Sequence, residues 1–470
     1  MKKKVGFIIV CCLILCQAYA QNLRLPAFFS DHMVLQRQSM VNIWGWAKAG
    51  QQVKLISSWS KDTLSVVVSG DATWRTQLET PKAGGPHSIK LVTPQQELEL
   101  KDIMIGEVWL CSGQSNMQWS GANKLQEILD ILPGSSNPNI RLLHVSNIAA
   151  QTPQHNIFDS WQTSRPETVR DFSAIGYFFA EKLSRELDVP VGIINASWGG
   201  TAAEFWTPKE KILANEQLTH YAALQKLAPR KPHQPGVLWN GMLAPFAGYT
   251  IAGSLWYQGE DNTIAYGGYD QLIQTMVGAW REAWGYQFPF YFVQIAPFVY
   301  TQYKKPNAAL LREQQARTAR KLPRSGMVVT TDLVDDLKNI HPTRKKAVAS
   351  RLADLALAEV YARPLVDYKS PTLQDYTIEG DKIILSFAVQ AGKLLVRGKE
   401  ITDLYIAGED RKFYPAKHTV MGSQLLVFAD QVKAPTAVRF GFTNTATPNL
   451  FNSKGLPVSP FRTDDWPDFE

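Results

Sequence analysis

Ile103-Met104-Ile105-Gly106-Glu107-Val108-Trp109-Leu110 is a short apolar-rich run that breaks at once into Cys111-Ser112-Gly113-Gln114-Ser115. Such a run reads as a buried strand that delivers a polar loop at its carboxyl end. The rhythm recurs downstream. Ile175, Phe179, Leu183 and Leu187 repeat every four residues, a helical spacing, with Ser173 placed to cap the helix. Val191 to Ile194 then reads as another buried strand. A strand over 251–257, a helix over 269–284, a strand over 288–295, a helix over 307–321 and a strand over 327–331 follow. Pro342 is placed to open a last helix at its first position. Strands alternating with helices predict an α/β domain with a parallel, doubly wound sheet over residues 102–364.

Both flanks read differently. Over 21–101, segments such as Val41-Asn42-Ile43-Trp44 and Ser88-Ile89-Lys90-Leu91-Val92 alternate in the strand manner, with turn signals such as Gly84-Gly85-Pro86 between them. A small β-sandwich-like domain is expected there. Residues 365–470 also lose the helical pattern, and 382–387, 393–396, 425–428 and 437–442 read as strands. They form a second β region or an extension of the first.

Residues 1–20 read as a secretory signal: Lys2, Lys3 and Lys4, then an apolar stretch to Cys16, then Ala18-Tyr19-Ala20 as a small-x-small cleavage site. The apolar run is too short to predict a membrane span. A secreted or periplasmic protein is expected, with no stable membrane insertion after cleavage. Cleavage takes the formal charge from +7 to +4, too weakly basic to argue for nucleic acid. It also removes Cys11, Cys12 and Cys16, leaving Cys111 without an internal disulfide partner. The chain carries no His-Glu-x-x-His motif, no paired cysteines and no phosphate-binding loop, so no metal or cofactor is expected. Fourteen tryptophans suit sugar stacking and β cores alike, and do not choose between them. Oligomeric state is not legible.

Three predicted strand ends carry polar motifs. Gly113-Gln114-Ser115-Asn116-Met117 offers a nucleophilic serine whose own N–H faces an oxyanion, though Met117 stands where the elbow of α/β-hydrolases has a second glycine. A tight polar turn that merely ends a strand is the competing reading. Asn195 to Gly200 supplies glycines that allow close backbone approach. Gln258-Gly259-Glu260-Asp261-Asn262 emerges on the same rim. Asn262 could donate to an oxyanion, while Gln258 could do the same or satisfy loop backbone. His341, after the last strand, lies where a Ser–His pair would close.

These motifs resemble the four blocks of the SGNH hydrolase superfamily. More narrowly, Gly106 to Met117, Trp256 to Glu260, Ile340-His341-Pro342, Asn240 to Pro245, Asn449 to Asn452 and Gly455 to Thr463 resemble the sialate O-acetylesterase family. The resemblance implies a three-layer α/β/α domain flanked by β-sandwich-like regions, and deacetylation of sugars. It also implies Ser115 as nucleophile, the N–H groups of Ser115 and Gly200 with Asn262 as the oxyanion hole, and His341 as base. SGNH enzymes usually place an Asp three residues before that His, where this chain has Lys338. Asp335 or Asp336 is the expected replacement, or a backbone carbonyl orients the ring. Gln114, Gln258, Glu260, Glu204 and Trp206 are the candidate substrate contacts, with Glu260 expected first to hydrogen-bond backbone groups around the rim and Trp206 as readily core as pocket wall. The partner is an acetylated sugar, with 9-O-acetylated sialic acid preferred, acetylated xylan as the alternative, and a non-catalytic carbohydrate-binding protein as the reading from another class. The base must be neutral to work, so activity is expected to fall below about 6.5, the value of free imidazole shifted by its neighbours.

Overall fold

The computed structural model of the chain describes residues 22–225 and 231–467; the expected signal segment and its three cysteines lie outside them. Seven strands form the central sheet. They are β1 (Glu97–Gly113), β2 (Asn137–His144), β3 (Gln162–Ser164), β4 (Val191–Ser197), β5 (Gly253–Tyr257), β6 (Phe290–Val293) and β7 (Ser325–Val328). Their spatial order is β7-β6-β5-β1-β4-β2-β3. Every neighbouring pair is parallel except β2 with β3.

The chain starts this sheet in its middle and builds outward both ways, which makes the end of β1 a topological switch point. Register sharpens the consequence. Gly113, the last residue of β1, pairs with Ser197 of β4 on one side and Tyr257 of β5 on the other. Three adjacent strands therefore end level, and their three loops emerge side by side.

Helices cover both faces. On one lie α2 (Ala174–Leu187) and α5 (Lys345–Glu359), whose Ile175, Phe179, Leu183, Val348 and Leu352 pack against Cys111, Ile193 and Val293. Ser173 caps α2 as its sequence predicts, accepting from Gly176 N at 3.1 Å. On the other face lie α3 (Tyr269–Trp284) and α4 (Asn307–Lys321). Leu272, Ile273, Met276 and Trp280 of α3 are at most 2% exposed. Burying side chains of this size stabilises by about 1.5–3 kcal/mol each. Trp206, Trp256 and Trp280 meet edge to face in this layer, so these tryptophans fill core. The result is the three-layer α/β/α arrangement.

β1 is longer than the apolar run that marks it. Its first half pairs antiparallel with Gly84–Val92 of the N-terminal strands, and its second half enters the central sheet. The strand crosses residue 101 without a break. One apolar core unites both parts, with Val41, Ile43, Val53 and Leu91 in the same cluster as Trp256 and Trp280. The C-terminal strands form two four-stranded antiparallel sheets around a core of their own, including Ile383, Leu385, Val427 and Val438. Cys111 is buried and has no disulfide partner among the described residues. Among the described residues no helix is long and apolar enough to cross a membrane, and no group of three His, Cys, Asp or Glu side chains could hold a metal.

Candidate active site

The β1 loop is forced into shape by Gly113. Its φ is +134°, and a Cβ there would lie 2.2 Å from the Tyr257 carbonyl oxygen. The tight turn lets Ser115 begin a one-turn helix, α1 (Ser115–Gln118), directly beyond the sheet. His341 arrives from the loop after β7. Its Nε2 lies 2.9 Å from Ser115 Oγ. The imidazole stacks on Trp119 with ring centroids 4.3 Å apart and planes 20° apart. Its backbone N–H donates to Asn339 Oδ1 at 3.0 Å. Pro342 does not open the following helix, which begins three residues later at Lys345.

The imidazole pKa is pushed down to about 4, first by burial and then by the nearby Lys345 ammonium. An imidazole so placed stays neutral well below the value for free imidazole.

Gly200 sits beside this pair, with φ +68°. Gly199 comes close enough that an added Cβ would meet Ser115 Cβ at 3.2 Å, and its N–H donates to Gln118 Oε1. Among the described residues, the N–H groups of Ser115 and Gly200 make no hydrogen bond. Two unused donors flanking a serine hydroxyl are what a developing oxyanion needs.

Asn262 is not a third donor. It is fully buried, and its Nδ2 donates to both carboxylate oxygens of Glu204 at 3.1 and 2.9 Å, while its Oδ1 accepts from Ala203 N and Gln258 Nε2. Every polar atom of the side chain is committed to the protein.

The acidic expectation fails as well. Asp335 pairs with Arg344 at 2.7 Å and accepts from Thr343, and Asp336 accepts the Lys338 N–H. Both are exposed, and neither touches the imidazole; among the described residues nothing hydrogen-bonds to His341 Nδ1.

Four expected substrate contacts are instead scaffolding. Gln114 donates to Asp261 and accepts from Gly259 N and Asp261 N, tying the β1 loop to the β5 loop. Gln258 donates to Thr201 O and Asn262, and accepts from Tyr269. Glu204 is 1% exposed beneath Asn262, and burial raises its pKa. Trp206 donates to Thr201 from inside the core. Such groups are buried with their hydrogen bonds satisfied, and none is free for a ligand.

Glu260 accepts from Asn116 Nδ2 through Oε1. With Gly200, Lys231, Asp261, Tyr300 and Ile340 it lines a cavity of about 300 Å³, whose wall at Ile340 precedes His341 in the chain. Burial pushes its pKa up to about 7, and among the described residues its Oε2 has no hydrogen-bond partner. Lys231 escaped sequence reasoning, since a loop lysine carries no periodic signal. Its ammonium overhangs Gly200, where an added Cβ would lie 1.7 Å from Nζ, and it acts electrostatically on Asp261.

Known carbohydrate esterases resemble the chain over most of its length. A family model described as carbohydrate esterase, sialic acid-specific acetylesterase, matches residues 105–358. The sialate O-acetylesterase of Homo sapiens is 27% identical over 486 residues, spanning 93% of this chain and 92% of its own. That of Mus musculus is 25% identical over 506 residues, spanning 93% and 94%. Among solved structures, a carbohydrate acetylesterase from Xanthomonas citri superposes with a TM-score of 0.87 at 32% identity, covering 95% of this chain and all of that one.

Proposed function

Because the chain belongs to the sialic acid-specific acetylesterase family and is a carboxylic-ester hydrolase of O-acetylated carbohydrate, we propose that it removes acetyl groups from 9-O-acetylated sialic acids through Ser115 and His341. The observation that carries this reading is the 2.9 Å bond between Ser115 Oγ and His341 Nε2, set beside two unused N–H groups.

His341 takes the hydroxyl proton as Ser115 Oγ attacks the acetyl carbonyl carbon. The oxyanion that forms lies against the N–H groups of Ser115 and Gly200. As the C–O bond to the sugar breaks, His341 returns the proton to the departing alcohol. Water, deprotonated by the same imidazole, then hydrolyses the acetyl-enzyme and frees acetate. Removal of one oxyanion donor typically costs about 2.7–4 kcal/mol of barrier, so two backbone donors supply much of the rate.

A charged sugar is favoured by Lys231. An ammonium on the wall of the cavity suits the carboxylate of a sialic acid and has no counterpart on neutral xylan. We further propose export from the cell, on the reading of the first twenty residues.

Acetate release from 9-O-acetylated sialic acid and from acetylated xylan, by wild type and Ser115→Ala, tests the reading. Wild type is expected to prefer the sialic acid, and the folded variant to lose nearly all activity on both. Equal release by the two proteins would remove Ser115 from the mechanism, and a preference for xylan would remove the sialic acid.

A further inference from the structure

An imidazole that accepts a serine proton must be held in one orientation, and an acid on Nδ1 ordinarily holds it. No described carboxylate does so here. Beneath the pair lies a buried network that the proposed chemical steps do not use. Lys345 and Asn116 are each 1% exposed, and Glu260 is 7% exposed. The Lys345 amine nitrogen donates to Asn116 Oδ1 at 2.6 Å. Asn116 Nδ2 donates to Glu260 Oε1 at 2.5 Å and to the Ile340 carbonyl at 3.1 Å. These partners fix which way the amide points, since its oxygen meets a donor and its nitrogen meets two acceptors.

The Ile340 carbonyl belongs to the peptide that leads into His341, and Asn116 follows Ser115 directly. One side chain thus ties the nucleophile's turn to the base's loop. Trp119 adds a second tie: it stacks on the imidazole, while Lys345 Nζ lies 5.8 Å from its ring and 5.5 Å from that of Tyr257. Both rings favour a cation between them.

We propose that Lys345, Asn116 and Glu260 form the positioning group of the Ser115–His341 pair, in place of the acid that the imidazole lacks. The inference rests on the serine-esterase reading above. Asn116 fixes the peptide at His341, and Trp119 fixes the ring plane. Lys345 brings positive charge near the imidazole, which disfavours the imidazolium before substrate arrives. An acid on Nδ1 would do the reverse. The arrangement gives a weaker base that remains unprotonated in acidic surroundings.

The other charged groups near the site do not replace Lys345 in this role. Glu260 and Asp261 come from the turn after β5, and Lys231 overhangs Gly200 across the cavity. Asp335, Asp336 and Arg344 on the loop of His341 are exposed. Glu127 and Glu260 act on Lys345, favouring its charged form against burial, which brings its pKa to about 7.

The test is the pH profile of kcat/KM for Lys345→Met and Lys345→Gln, beside Ser115→Ala and a thermal melt of each protein. Both Lys345 variants remove the charge, and only Gln retains a donor for Asn116. In each that folds, the acid limb is expected to rise by about one pH unit, so that activity at pH 5 relative to pH 8 falls about twofold. Lys345→Met is also expected to lose kcat at pH 8 with little change in KM. An acid limb at the wild-type position in a folded variant, with Ser115→Ala inactive, would overturn the positioning role alone. Activity retained by Ser115→Ala would overturn the serine reading beneath it.

Discussion

Nε2 of His341 lies 2.9 Å from Oγ of Ser115, although 226 positions separate the two residues. The sheet makes this meeting possible. Ser115 follows the central strand, and His341 follows the outermost strand on one flank, so both leave the sheet at its carboxyl edge.

The imidazole is depressed to about 4, so the wild-type enzyme is expected to keep its kcat/KM nearly level from pH 7 down to about pH 5. The sign follows from the role. A base works unprotonated, and lowering its pKa extends activity towards acid. A half-maximal point near 6.5, as for free imidazole, would contradict the burial and the Lys345 charge that set this value.

Lys231→Ala is expected to raise KM for acetylated sialic acid about tenfold, the loss of about 1.4 kcal/mol of binding. KM for a neutral acetylated oligosaccharide is expected to stay within about twofold. Steady-state kinetics on the two substrates decide this, and equal changes on both would deny Lys231 a part in reading charge.

Asn262→Ala removes two of the three side-chain hydrogen bonds to the buried Glu204 carboxylate, leaving the one that Gln225 donates at 3.2 Å. A buried carboxylate that loses two of its three donors is destabilised by about 1–3 kcal/mol. The Asn262 bonds lower a pKa that burial raises, so the deficit is greatest where Glu204 is ionised and shrinks as falling pH protonates it. Urea unfolding across pH measures this. A deficit of similar size at every pH would show that Glu204 is not the group affected.

Gly113→Ala places a methyl 2.2 Å from the Tyr257 carbonyl oxygen at a φ of +134°. Something must shift, either the turn that presents Ser115 or the pairing of β1 with β5. The expected cost is about 3 kcal/mol or more, with activity lost even where the protein folds. An active, equally stable variant would show that the turn is not held by this contact.

The sequence revealed most where pattern alone decides structure. Helices 269–284 and 307–321 occur with the expected bounds, because their apolar spacing admits no other period. The run at 103–110 underestimates β1, since the strand serves two sheets and its first half alternates like a separate element. Strand Asn137–His144 escaped because Asn137-Pro138-Asn139 reads as a turn and Arg141 breaks the apolar run. At the site, Ser115 and His341 were legible from their places at strand ends. Asn262 was misread for a reason that periodicity cannot cure: a polar residue on the rim can point outward to substrate or inward to Glu204. Asp335 and Asp336 were near His341 in sequence and turned to solvent. Asn116 and Lys345, far apart in sequence, meet only in the fold.

The central claim is that Ser115 and His341 act as one unit. Acetate release by Ser115→Ala, His341→Ala and the double variant tests it most directly. If the two residues perform one proton-coupled attack, each single variant is already near the floor and the double variant falls no further. If the losses instead add, or if Ser115→Ala still releases acetate at an appreciable rate, the pair is not the catalytic unit.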